Sequence, residues 1–188
     1  PEDEAMWTEA RRLSPAIVFS PTRTTWAAHR DDAWFRLVER PGLGVHFLAL
    51  RVSGGPANPL SDVRVRRALR AAIDARKVAS ALPGEGAFPA SQLVPPAIIG
   101  FNPDLSVPAF VSGAARSLLE EAGFRQSEPL RFLTLKGGGP LGREVISALG
   151  AAGVEVREEQ VSIEEFERRS TACDADLFFS GWICATGD

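Results

Sequence analysis

Along the chain the apolar positions change period several times, and each change predicts an element. In "DEAMWTEARRL" Met6, Ala10 and Leu13 fall at helical spacing. "AIVFS" reads as a short strand closed by Pro21, and "FRLVERPGLGVHFLALRV" as two strands joined at Pro41-Gly42. In the second of these, Val45, Phe47, Ala49 and Arg51 share one face and His46, Leu48 and Leu50 the other. An apolar residue at nearly every position predicts cover on both sides.

"GGPANPL" is expected to be a loop, with Ser61 capping the next helix and Asp62 in its first turn. Val65, Leu69, Ala72 and Ile73 form that helix's apolar stripe, with Arg66, Arg67 and Arg70 off it. Residues 83–110 are rich in proline and glycine, an unusually long loop for a compact domain. "SGAARSLLEEAGF" predicts a helix capped by Ser112, with Ala115, Leu118 and Leu119 inward and Gly123 as its stop. Then follow "LRFLTLK" (strand), "PLGREVISALGAAG" (helix), "VEVREEQV" (strand), "IEEFERRS" (helix) and "DADLFFSGW" (strand). This βαβαβ alternation predicts an α/β layer with parallel strands.

Composition narrows the function classes. The chain has 188 residues, 45% apolar and 24% charged, as in an ordinary soluble domain. A formal charge of −3 argues against a nucleic-acid partner, although Arg64, Arg66, Arg67 and Arg70 crowd one segment. Nothing aromatic is interleaved among them for base stacking. No stretch reaches the roughly 18 apolar residues of a membrane span. The opening "PEDEAMW" is not a signal peptide, and both ends read as cut, so the chain is expected to be a fragment.

Candidate chemistry is sparse. Cys173 and Cys184 flank a strand-like run that would hold their sulfurs too far apart for a disulfide. His29 and His46 lie in separate segments, so neither a zinc site nor a catalytic pairing with a serine or acid is expected. Glu120/Glu121 and Glu164/Glu165 read as solvated helix charges. The chain is expected to be no enzyme, to hold no metal and to need no cofactor. "GGGPLG" (137–142) satisfies G-x-G-x-x-G, follows a strand and opens a helix, and Glu158 lies about 20 residues on. A nucleotide-binding α/β domain is therefore an alternative. Against it, too little chain follows for a second βαβαβ half, and Pro140 removes one N–H from the cradle.

Several segments, in order, resemble the family 5 extracellular solute-binding proteins of ABC transporters, the dipeptide-, oligopeptide- and nickel-binding group. They are "PLSDVRVRRALRAAID" (59–74), "FPA" (88–90), "VPP" (94–96), "GFNPDL" (100–105), "ARSLLEEAGF" (115–124), "AAGVEV" and "DADLFFSGW". The match covers residues 35–188, with 1–34 a looser lead-in. The resemblance implies that 1–188 is one α/β lobe, a mixed sheet flanked by helices, of an incomplete type II periplasmic-binding-protein-like fold. The other lobe and a C-terminal continuation would lie outside it. It implies a substrate-binding component of an ABC uptake transporter, periplasmic or extracellular and lipid-anchored in its full-length form. Its partners would be a peptide or other small solute and an ABC permease. A sensory or regulatory module reusing the lobe is a further alternative.

The arginine-rich helix then becomes a structural signature, Asp62, Arg64, Arg67 and Asp74, with Arg64 and Arg67 expected to be buried and paired. Trp182, Ile183, Cys184 and Ala185 become the ligand-facing residues. Peptide-binding members carry G-W-x-x-D, whose acid pairs with the ligand's α-amino group. Here Ala185 stands in that place, which counts against an ordinary dipeptide as ligand.

Overall fold

The computed structural model describes residues 2–13, 15–18, 28–38, 42–81, 87–137 and 139–183. The chain divides into two compact units, residues 1–41 with 83–87, and residues 42–82 with 88–188.

In the first unit, α1 (Glu2–Leu13) buries Trp7 and Ala10 and leaves Leu13 exposed. The Trp7 indole stacks on His29 with ring centroids 4.2 Å apart and meets Phe35 edge-on. His29 has an acid partner that the sequence reading missed: its Nδ1 lies 3.1 Å from Asp32 Oδ2. The Trp34 amide, His29 and Arg11 hold the Asp32 carboxyl down to a pKa of about 2. Residues 16–18 and 35–38 form no strand; the rest of both expected strands, 19–20 and 39–41, lies outside the described residues.

The second unit is built on a four-stranded sheet of β1 (Gly44–Leu50), β2 (Leu130–Leu135), β3 (Val156–Val161) and β4 (Leu177–Ile183), in the order β1-β4-β2-β3. The βαβαβ segment gives the parallel pairs β2/β3 and β2/β4. β1 joins β4 antiparallel, with Gly44 opposite Ile183 and Leu50 opposite Leu177. The sheet is therefore mixed. Its helices are α2 (Val63–Ala72), α3 (Ala75–Ala81), α4 (Ala114–Glu121), α5 (Pro140–Ala151) and α6 (Ile163–Thr171).

Strand alternation divides the core in two. Leu130, Phe132 and Leu177 face Val65, Leu69, Ala115, Leu119, Val145 and Leu149 of α2, α4 and α5. Leu133 and Phe178, one position along, face Phe166 of α6 and Ala175. Leu48 and Leu50 of β1 pack toward the larger cluster and Ala49 toward the smaller, as its two-sided pattern predicted. Leu118, expected inward on α4, is 37% exposed.

The local signals depart from expectation in three places. Two 3₁₀ turns, Gly55–Ala57 and Pro59–Ser61, occupy the expected loop. Ser61 belongs to the second, where its hydroxyl donates to the Val52 and Gly55 carbonyls at 3.0 and 2.8 Å. Asp62 is the cap of α2 instead, accepting from the Arg64 amide at 2.8 Å. Ser112 does not cap α4; Gly113, with φ of 82°, begins it with no side-chain bond. The arginines also redistribute. Arg64 does pair with Asp62 (2.6 Å), but in solvent, and Arg67 is exposed. Arg66 is the half-buried one, donating to the Leu60 and Ser61 carbonyls at 2.9 Å each. The 3₁₀ turn ahead of α2 aims those carbonyls at the second arginine of the cluster. Asp74 opens α3, its carboxylate accepting from the Arg76 amide at 2.9 Å.

Beneath α6 lies a closed ring of charges. Glu159 on β3 accepts from Arg131 Nε at 3.0 Å and Arg169 Nη2 at 2.6 Å. The same two arginines reach Asp174 at 3.1 Å each. Arg131, then Arg169, hold the Glu159 carboxyl down to a pKa of about 2, and Glu159 in turn raises Arg131.

Candidate functional site

In parallel α/β sheets the strands' carboxyl ends converge on one edge, where ligands bind. Here that edge is formed by the ends of β2, β3 and β4 and by the start of β1, which pairs with the end of β4. Trp182 and Ile183 sit on it. Successive residues of a strand point to opposite faces, so their side chains diverge. Trp182 is half-buried and lies opposite Val45; Ile183 is 77% exposed and passes over Gly44. Cys184 and Ala185, the other two ligand-facing candidates, lie outside the described residues. Cys173 is exposed and free.

The Trp182 indole N–H donates to the Leu93 carbonyl at 3.1 Å, across 89 positions of sequence. That bond fastens the proline-rich loop to the sheet edge. Within the loop the Gln92 amide group brackets Asn102, donating to its carbonyl at 2.8 Å and accepting from its amide at 3.2 Å. Pro95 and Ile98 are buried. Sequence reasoning had no signal for this attachment beyond the length of the loop.

Gly181 precedes Trp182 for a steric reason. A Cβ there would stand 2.8 Å from His46 Nδ1 and 3.2 Å from the Val45 carbonyl oxygen. The His46 ring needs that space because it lies parallel to Phe179, with centroids 6.0 Å apart. Gly181→Ala is therefore expected to cost about 1 kcal/mol, since the exposed His46 ring must turn aside. Part of that should return in the Gly181→Ala/His46→Ala double variant, with the Val45 carbonyl contact remaining. Urea denaturation of the four proteins checks it; equal losses with and without His46 would refute the steric account.

Of the described glycines in 137–142, Gly142 has a steric role. Gly142 is buried on α5, and a Cβ there would meet Thr134 at 3.5 Å and Glu158 at 3.7 Å, so its role is close helix-to-sheet packing. Glu158, the expected ribose acid, accepts the Thr134 hydroxyl at 2.7 Å. Gly138 lies outside the described residues. Among the described residues no group of three or more His, Cys, Asp or Glu could hold a metal, and no helix is long and apolar enough to cross a membrane.

Comparison with known proteins gives the arrangement a context. Residues 5–188 match the family described as bacterial extracellular solute-binding proteins, family 5 Middle. Di/tripeptide-binding protein 2 of Pseudomonas aeruginosa is 27% identical over 184 residues, covering 95% of this chain and 34% of that protein. The dipeptide-binding protein of Escherichia coli is 25% identical over 195 residues, covering 100% and 36%. Among solved structures, HbpA2 from Haemophilus parasuis superposes with a TM-score of 0.85 at 22% identity, over the whole of this chain and 38% of that one. The chain thus spans about a third of the length of the curated relatives it matches.

Proposed function

Because this chain belongs to the family 5 bacterial extracellular solute-binding proteins, we propose that it serves as one wall of a ligand cleft in the substrate-binding component of an ABC uptake transporter. The family match across residues 5–188 carries this reading, and the relatives named for dipeptide and di/tripeptide binding support a peptide-like solute. The work is capture. Lobes that close about a hinge bury a solute between them. The solute stabilises the closed form only through contacts it makes there and not in the open form. A single wall therefore binds weakly by itself, and its partners are the opposite lobe and a permease that reads the closed shape. The compartment is periplasmic or extracellular.

The residues assigned to ligand contact are Trp182, Ile183, Cys184 and Ala185, while Asp62, Arg64, Arg67 and Asp74 stay structural. With alanine at 185, this wall supplies no carboxylate there for a peptide's ammonium group. The ligand lacks a free amino terminus at this point, or is anchored by residues elsewhere in the protein. The family match across residues 5–188 and the peptide-binding relatives favour this reading over the nucleotide alternative. Mass spectrometry of small molecules retained by the protein, expressed from its complete reading frame, tests the proposal. Peptides or peptide-like solutes are expected; a retained nucleotide, or a preparation that releases nothing and takes up no peptide, would count against it.

A further inference from the structure

The loop bonded to Trp182 exposes several apolar side chains, Phe88, Leu93, Ile99 and Leu105 among them, and it is Leu93 whose backbone carbonyl is held to the sheet edge. The Leu93 backbone is fixed by the indole on its carbonyl, by the Gln92–Asn102 bracket beside it and by the buried Pro95 and Ile98 beyond. Its side chain is nevertheless 54% exposed. An apolar group held in place in water has already lost much of its backbone freedom, so covering it on binding gains burial at reduced ordering cost.

The surroundings define what could cover it. The Gly44–Ile183 pairing and the Trp182–Leu93 bond bring together residues 42–46, 91–98 and 181–183. These segments contain no Asp, Glu, Lys or Arg. The single polar atom of the Trp182 side chain is spent on Leu93, so the indole offers a ligand only its ring. A charged group set down here would leave water without a counter-charge from these segments, which is costly; an apolar group would not.

We infer that Leu93 is a specificity-determining residue of the ligand wall, that Trp182 is the positioning residue holding it, and that together they receive an apolar side chain of the solute. This rests on the cleft reading above. The test is a calorimetric titration of the protein expressed from its complete reading frame with Leu-Leu, Ala-Ala and Asp-Asp, each with a free and with an N-acetylated amino end. In whichever form binds, Leu-Leu should bind at least tenfold more tightly than Ala-Ala or Asp-Asp. Leu93→Asp, a change at an exposed position, should erase that preference, and an unchanged urea midpoint shows that the fold is kept. Trp182→Phe keeps an aromatic ring but loses the donor; it should reduce the same preference and speed amide exchange at 91–94. A preference for Leu-Leu that survives Leu93→Asp in the folded variant, or Asp-Asp matching Leu-Leu in the parent, overturns the role of Leu93 and leaves the solute-binding reading standing. Binding of none of the peptides in either form overturns both.

Discussion

Replacing Glu159 by alanine is expected to destabilise the fold by about 1–3 kcal/mol, the cost of removing the carboxylate from partly buried, charge-assisted hydrogen bonds. The residue ties Arg131 on β2 and Arg169 on α6 to β3, with Arg157 also 3.4 Å away. Without it, Arg131 and Arg169 face each other across Asp174 alone, and Arg169 is only 8% exposed. Glu159→Gln keeps the shape and removes the charge, so it should cost less at neutral pH. It should also reveal the acid dependence. Folding lowers the Glu159 pKa from 4.5 to about 2. A depressed carboxylate contributes stability that is present above its unfolded pKa and lost as pH falls through its folded one. The parent should therefore lose this stabilisation between about pH 4.5 and 2, and Glu159→Gln should lose less over that interval. Urea midpoints at pH 7, 4 and 2.5 measure both effects. Parallel decline in the two proteins would show that the ring contributes nothing to acid sensitivity.

Phe132→Ala is expected to cost more, about 3–5 kcal/mol, for a different reason. Phe132 has no exposed surface, sits on β2 between its two parallel neighbours, and lies against Gly142 where α5 comes closest to the sheet. Truncation leaves a cavity within the cluster of Leu69, Leu119, Val145 and Leu149, which relaxes into it only in part. Phe132→Leu retains more of the volume and should cost distinctly less. Denaturant unfolding gives both values. A loss under about 1 kcal/mol for the alanine variant would mean that the site collapses freely and that the core is not close-packed at this point.

The sheet and its helices were legible because each rests on a local period. The alternation after Pro129 predicted every strand and helix of the βαβαβ segment, and the order of short strings from Pro59 to Trp182 identified the family. The caps were less legible. Ser61 and Asp62 are both good cap residues side by side, and the choice fell to a 3₁₀ turn that claims the serine hydroxyl for Val52 and Gly55. The same turn decides which arginine is buried: Arg64 and Arg67 were expected once the helix was read as a family signature, whereas the carbonyls favour Arg66. "FRLVER" reads as a strand from its apolar and β-branched residues, but composition does not provide a neighbour to pair with, and residues 35–38 form none. At the site, Trp182 was visible as part of a motif. Leu93 was not, since a hydrogen bond spanning 89 positions leaves no mark on local composition. The charge ring was hidden likewise: its members come from two strands, a helix and a loop, and each alone reads as a solvated charge.

The pairing of β1 with β4 has a consequence for how the protein is made. Leu50 emerges from the ribosome well before its partner Leu177, and among the described residues β4 is the one strand that pairs with the apolar "GVHFLAL". At about 5–20 residues per second the nascent strand waits for roughly 6–25 seconds with its edge and apolar side chains uncovered. That interval exposes a sticky segment to neighbouring chains. Aggregation during synthesis should therefore depend more on what shields β1 in those seconds than on the stability of the completed sheet.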